Sequence, residues 1–171
     1  MNLVEQLNYE WRRRQYKKSP RALNQADSLS FLCGYCRNHV VIHPAISGVN
    51  NRNHCPYCLY SRHLDLFHAG DRLSACKGWM RPTGLTLKRT KDKYNSVGKG
   101  ELMIVHICLD CGKISLNRLA ADDLAEKLYE VYKTGAEAAI KMKEELRDIQ
   151  ILGKAEHEIV KSRLFGKSSW N

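Results

Sequence analysis

The middle of the chain alternates short apolar runs with polar turns, whereas its two ends carry apolar residues at helical spacing. Val40-Val41-Ile42 and Leu85 to Arg89 have the composition of strands. Leu102 to Ile107 pairs naturally with the second of these, leaving residues 91 to 100 as a long polar hairpin tip. At the amino end Leu3, Val4, Leu7, Tyr9 and Trp11 mix with Arg12, Arg13, Arg14, Lys17 and Lys18, a short basic helix that Ser19-Pro20 ends. A polar linker runs from 19 to 30. Asp122 and Asp123 suit a helix start, and Leu124, Leu128, Val131 and Tyr132 then mark one face. Thr134-Gly135 is placed to bend or break that helix before Ala139, Ile140, Met142 and Leu146 continue the spacing. The pattern predicts an α+β chain in three parts: a basic helix and linker over 1–30, a small β domain over 31–118, and a long helix or helical hairpin over 119–171.

Composition adds limits. Hydrophobic residues at 43% and charged residues at 27% lie near the globular average. The longest apolar runs, such as Met103 to Cys108, are far short of a bilayer span. Met1 to Gln6 lacks the basic start and apolar core of a secretory signal, so the expected location is the cytoplasm, where thiols stay reduced. Charge divides the chain more sharply than hydropathy does. Residues 31–118 hold thirteen basic and five acidic residues, +8, against +3 for residues 1–30 and −1 for the remainder.

Seven cysteines, an odd number set mostly in pairs, read as metal ligands rather than a disulfide framework. Cys33-Gly34-Tyr35-Cys36, Cys55-Pro56-Tyr57-Cys58 and Cys108-Leu109-Asp110-Cys111 each put two thiolates on one tight turn, half of a tetrahedral zinc shell. Eighteen residues separate Cys36 from Cys55, within the spacing of structural zinc sites. The third knuckle would draw on Cys76 and one histidine, giving two zinc ions. His63 is the first choice, a loop's length before Cys76 and close to Asp65, an acceptor for its second ring nitrogen; His106 is the runner-up. Spacing leaves the pairing of knuckles open, and a crossed arrangement of the first with the third is the alternative. Seven thiolates and two zinc ions would leave residues 31–118 at about +5.

Arg52-Asn53-His54-Cys55-Pro56 spells the motif for which the RNHCP domain family is named, and the flanking segments are similar to that family too. Ser61, His63 and Asp65 match its S-x-H-x-D element. Gly70-Asp71-Arg72, then Cys76 with Gly78, Met80 and Pro82, follow; His106, Cys108, Cys111 and Gly112 match its third knuckle, with Asn117-Arg118 and Asp122-Asp123 after it. Ala69 stands where proline would be expected. The resemblance implies a zinc-ribbon-like domain and lends no established activity.

A small basic zinc domain suits a phosphate backbone. The expected function is an RNA-binding protein associated with the ribosome or its assembly, its partners ribosomal RNA and ribosomal proteins, without a membrane or small-molecule substrate. Arg52 and Arg72 can meet phosphate or pair with a carboxylate such as Asp71; the Arg12 to Arg14 cluster and the tip residues Lys88, Arg89, Lys91, Lys93, Tyr94 and Lys99 are the other candidate contacts. Asn53, His54, Asp65 and Asp71 read as turn braces. Trp79 and Met80 read as core or as an exposed contact. The alternative is a DNA-binding or protein-adaptor module. A zinc hydrolase or deaminase ranks below both, because the sequence has no H-E-x-x-H and no H-x-E followed by P-C-x-x-C.

Overall fold

The computed structural model describes residues 30–88, 100–138 and 149–166. The amino-terminal helix, the hairpin tip with Arg89, Lys91, Lys93, Tyr94 and Lys99, and the Ala139 to Leu146 face all fall outside these residues, as do Arg12, Arg13 and Arg14.

Two antiparallel sheets carry the cysteine turns. Strands β1 (Ser30–Leu32) and β2 (His39–Val41) form a hairpin whose turn is the first knuckle. A single helical turn, α1 (Pro44–Ser47), follows, with Pro44 at its start and Gly48 at φ 68° closing it. The second sheet has the order β3 (Ser61–Arg62), β4 (Trp79–Lys88), β5 (Glu101–Cys108), β6 (Ile114–Arg118), antiparallel throughout. The β4–β5 pairing expected from the apolar runs is present, although β4 starts six residues before Leu85. A register shift between Pro82 and Gly84 accommodates the proline, which cannot donate to the ladder. Strand β5 is central and buried along most of its length.

The tail packs on this sheet. Helix α2 (Ala125–Ala138) sets Leu128 and Tyr132 against Leu59, Leu85, Leu102 and Ile104, and the cluster is completed by Leu152 and by Val160 of α3 (His157–Phe165). Each fully buried aliphatic here contributes about 1.5–3 kcal/mol.

Three expectations for the tail are corrected. It is not one long helix, because α3 has nine residues and Ile149 to Gly153 is non-helical. That stretch lies along β4 beyond the end of β3: the Leu152 N–H donates to Leu85 O at 2.8 Å, and Thr86 Oγ1 donates to Gln150 O at 2.7 Å. Gly135 does not break α2. A Cβ there would stand 2.6 Å from both Gly84 Cα and Thr83 O, so the glycine lets helix backbone approach strand backbone. Helix α2 does begin just after Asp122 and Asp123, but their carboxylates bond Arg52 and His54, and Leu124 is 42% exposed rather than on the buried face.

Candidate metal centres and the motif that frames them

All three knuckles repeat one backbone design. The N–H four residues after the first cysteine donates to that cysteine's carbonyl: Arg37 to Cys33 at 2.8 Å, Leu59 to Cys55 at 2.8 Å and Gly112 to Cys108 at 3.0 Å. The cysteine's own N–H then donates to a carbonyl five residues on, in Asn38, Tyr60 and Lys113. Such a turn needs a left-handed residue, and Arg37 (φ 62°), Leu59 (φ 61°) and Gly112 (φ 73°) supply it. Two of these are not glycine and carry the steric cost of that region. Leu59 is also fully buried, so core packing offsets the strain.

The knuckles assemble into two four-ligand groups. Cys33, Cys36, Cys55 and Cys58 form one, and His63, Cys76, Cys108 and Cys111 the other, with the ligand atoms of each group within 4.8 Å of one another. The first pairs knuckle one with knuckle two, so the crossed arrangement is not adopted. His63, the first choice from sequence, completes the second group, and His106 is not part of it.

Distances test whether zinc fits. Four sulfurs at ~2.3 Å from one zinc ion stand about 3.8 Å apart. Cys33 and Cys58 Sγ are 3.7 Å apart, Cys36 and Cys55 3.5 Å, and Cys76 and Cys108 3.7 Å, while Cys111 Sγ lies 3.3 Å from His63 Nδ1. These are tetrahedral edges, far longer than the ~2 Å of a disulfide. Each group can hold a metal ion, consistent with two zinc ions per chain.

The thiols argue the same way. A hydrogen bond from Cys58 holds the Cys55 thiol down to about 5, and the same contact pushes Cys58 far up. Burial raises Cys33 and Cys108 and pushes Cys76 up to about 12. Burial and mutual contact thus oppose ionisation of Cys33, Cys58, Cys76 and Cys108, and a bound cation would offset that cost. Backbone N–H groups of Tyr35 and Cys36 face Cys33, those of Tyr57 and Cys58 face Cys55, and those of Asp110 and Cys111 face Cys108. Burial also lowers His63, with Lys113 and Lys77 adding to the effect, which favours the neutral imidazole a metal requires.

His106 has another job. Its fully buried ring donates from Nε2 to Leu59 O at 2.7 Å, so Nδ1 is the acceptor for Asn117 Nδ2 at 3.2 Å. Burial lowers its pKa to about 3 and keeps it neutral. It thereby ties β5 to the second knuckle's left-handed residue.

The Arg52 to Pro56 segment is a frame for the centres. Arg52, with its side chain fully covered, donates from Nη1 to both Asp122 oxygens at 2.7 Å and to Val41 O, from Nη2 to Asp123 at 3.2 Å, and from Nε to His54 O at 3.0 Å. The expectation that Arg52 meets phosphate, or Asp71, is corrected: its donors are spent inside the protein. Asn53 Nδ2 donates to Asp65 at 2.7 Å while its Oδ1 accepts from Arg72 Nη1. His54 Nε2 donates to Asp123, Cys55 belongs to the first four-cysteine group, and Pro56 O accepts the Leu124 N–H at 3.2 Å.

Asp65 does not reach the free nitrogen of His63. It accepts from Asn53, the Gly70 N–H and the Arg72 N–H, and His63 Nε2 is buried without a hydrogen-bond partner among the described residues. Asp71 accepts the N–H groups of Leu66, Phe67, His68 and Leu73, which hold its carboxyl well below the usual range. Both are turn braces, as expected. Of the cations proposed from sequence, Arg72 and Lys88 are exposed, although Arg72 also braces Asn53.

Sequence reasoning missed a group of aromatic residues. Tyr35, at the tip of the first knuckle, stacks on Tyr60 with ring centroids 3.6 Å apart and 8° between planes. Trp79 meets Tyr35 edge-on at 6.2 Å, with the Arg62 guanidinium 3.5 Å from its centroid. Met80 is core, and Trp79 is half-buried between Tyr35 and Arg62. The available signal was the tyrosine between the cysteines of Cys33-Gly34-Tyr35-Cys36; Tyr57, its counterpart in the second knuckle, makes none of these ring contacts.

The family model for the RNHCP domain matches residues 28–129, more than half of the chain. Comparison with curated proteins and with solved structures gives no match.

Proposed function

The chain belongs to the RNHCP domain family, and from that premise we propose that it is a zinc-stapled RNA-binding protein acting on the ribosome or in its assembly in the cytoplasm. The observation that supports this most is the charge left on residues 31–118, about +5 once both cages are filled. Zinc, when bound, neutralises the thiolates and contributes folding free energy directly. Four protein ligands in each cage favour a scaffolding role over catalysis, which needs an open position. In this reading the β strands around the cages are zinc-ribbon-like, and no reaction is assigned.

The reading is tested by sedimenting the native protein from a low-salt lysate. It is expected to travel with a ribosomal subunit or precursor, and to be released by ribonuclease and by raised salt. Free sedimentation would contradict it. Association released by deoxyribonuclease would favour the DNA-binding alternative.

A further inference from the structure

The aromatic group lies on a defined face of the four-stranded sheet. Ser61 pairs with Met80 and Arg62 with Trp79, and Ser61 and Met80 are buried. Side chains alternate along a strand, so Tyr60 and Arg62 share the opposite face with Trp79 and Arg81. Arg81 is exposed, and its charge is felt at Tyr60. Tyr35 reaches over this face from the first knuckle. Gly34 makes that approach possible, since a Cβ there would fall 2.9 Å from the Trp79 ring.

Two arginines bring positive charge to the rings among the described residues: the Arg62 guanidinium lies over Trp79 and donates to Lys77 O at 3.2 Å, and Arg81 acts on Tyr60. Asp110 lies near Arg62 and offsets part of its charge. Both centres position the platform: Tyr35 sits between the ligands Cys33 and Cys36, Tyr60 lies two residues after Cys58, and Trp79 lies three after Cys76.

One number separates a platform from an internal brace. Tyr35 is 55% exposed although one ring face is covered by Tyr60, so the exposure belongs to its outer face and edges. Burying the ring would serve bracing better. An open aromatic face beside two arginines is the chemistry that stacks an unpaired base and meets its phosphates.

Resting on the RNA-binding reading, we infer that Tyr35, Tyr60 and Trp79, with Arg62 and Arg81, form a stacking platform for unpaired bases of single-stranded RNA. Duplex RNA, whose base faces are covered by their neighbours, is a poor ligand for it.

The test uses the zinc-loaded full chain with a labelled single-stranded RNA of ~12 nucleotides and a duplex of equal length. The single strand binds more tightly. Tyr35→Ala weakens that binding about tenfold, whereas Tyr35→Phe, which keeps the ring, retains it. Arg81→Ser lowers the log-log salt slope by about 0.7. If Tyr35→Ala releases zinc, the Tyr35→Phe and Arg81→Ser proteins carry the comparison. Wild-type affinity and slope in both Tyr35→Ala and Arg81→Ser overturn the platform while leaving RNA binding elsewhere on the chain intact. Preference for the duplex overturns the single-strand assignment, and absence of RNA binding by the wild type overturns both this inference and the function it rests on.

Discussion

His54 donates its Nε2–H to the carboxylate of Asp123, 2.9 Å from either oxygen and across 69 residues of chain. The same carboxylate, fully buried, also accepts from Arg52 Nη2 at 3.2 Å and from the Ala120 N–H at 2.7 Å. One anion therefore joins the entry of α2 to the knuckle that supplies Cys55 and Cys58. Its removal leaves Arg52 Nη2, the His54 Nε2–H and the Ala120 N–H without their acceptor.

Asp123→Ala is expected to destabilise the fold by about 3 kcal/mol or more, because three covered donors lose their acceptor at about 1–3 kcal/mol each. Asp122→Ala removes a carboxylate whose side chain is 30% exposed, and water can replace part of its role. Its cost is expected near 1 kcal/mol. Urea unfolding of both variants checks the ordering; equal small losses would mean that Arg52 finds other partners.

Gly135 gives a test with opposing terms. Alanine is better than glycine in a helix by about 1 kcal/mol. Here its Cβ would meet strand backbone at 2.6 Å, where no flexible side chain can yield. Overpacking costs about 1–3 kcal/mol and more when backbone must shift, so Gly135→Ala is expected to lower stability. A higher melting temperature would show that α2 is not seated on Gly84 as described.

His63 and His106 offer a paired comparison. His63→Ala removes a ligand and is expected to lower the zinc content from two to one. His106→Ala leaves Leu59 O and Asn117 without partners in the core and is expected to destabilise while keeping two zinc ions. Zinc analysis of the folded variants decides it; loss of metal from the His106 variant alone would reverse the assignment.

The metal ligands were legible in sequence because each knuckle is a local turn whose spacing encodes its geometry. His63 was legible for a similar reason, lying a loop away from Cys76. Arg52 was not. A cation in a basic segment suggests phosphate, and its carboxylates lie 70 and 71 residues away at the start of a helix. Long-range ion pairs leave no periodic signal. The tail misled in the same manner: Ile149, Ile151 and Leu152 are apolar enough for helix or strand, and the open edge of β4 decides between them. Gly135 read as a breaker because propensity sees the helix alone and not the strand it touches.

Seven thiols and one imidazole in two closed cages are the centre of this account, and native mass spectrometry of the folded full chain measures them most directly. The mass is expected to exceed that of the apo chain by two zinc ions, with all seven cysteines slow to alkylate until a chelator unfolds the protein. A chain that carries one zinc or none while remaining folded, or one that loses metal without unfolding, would contradict it.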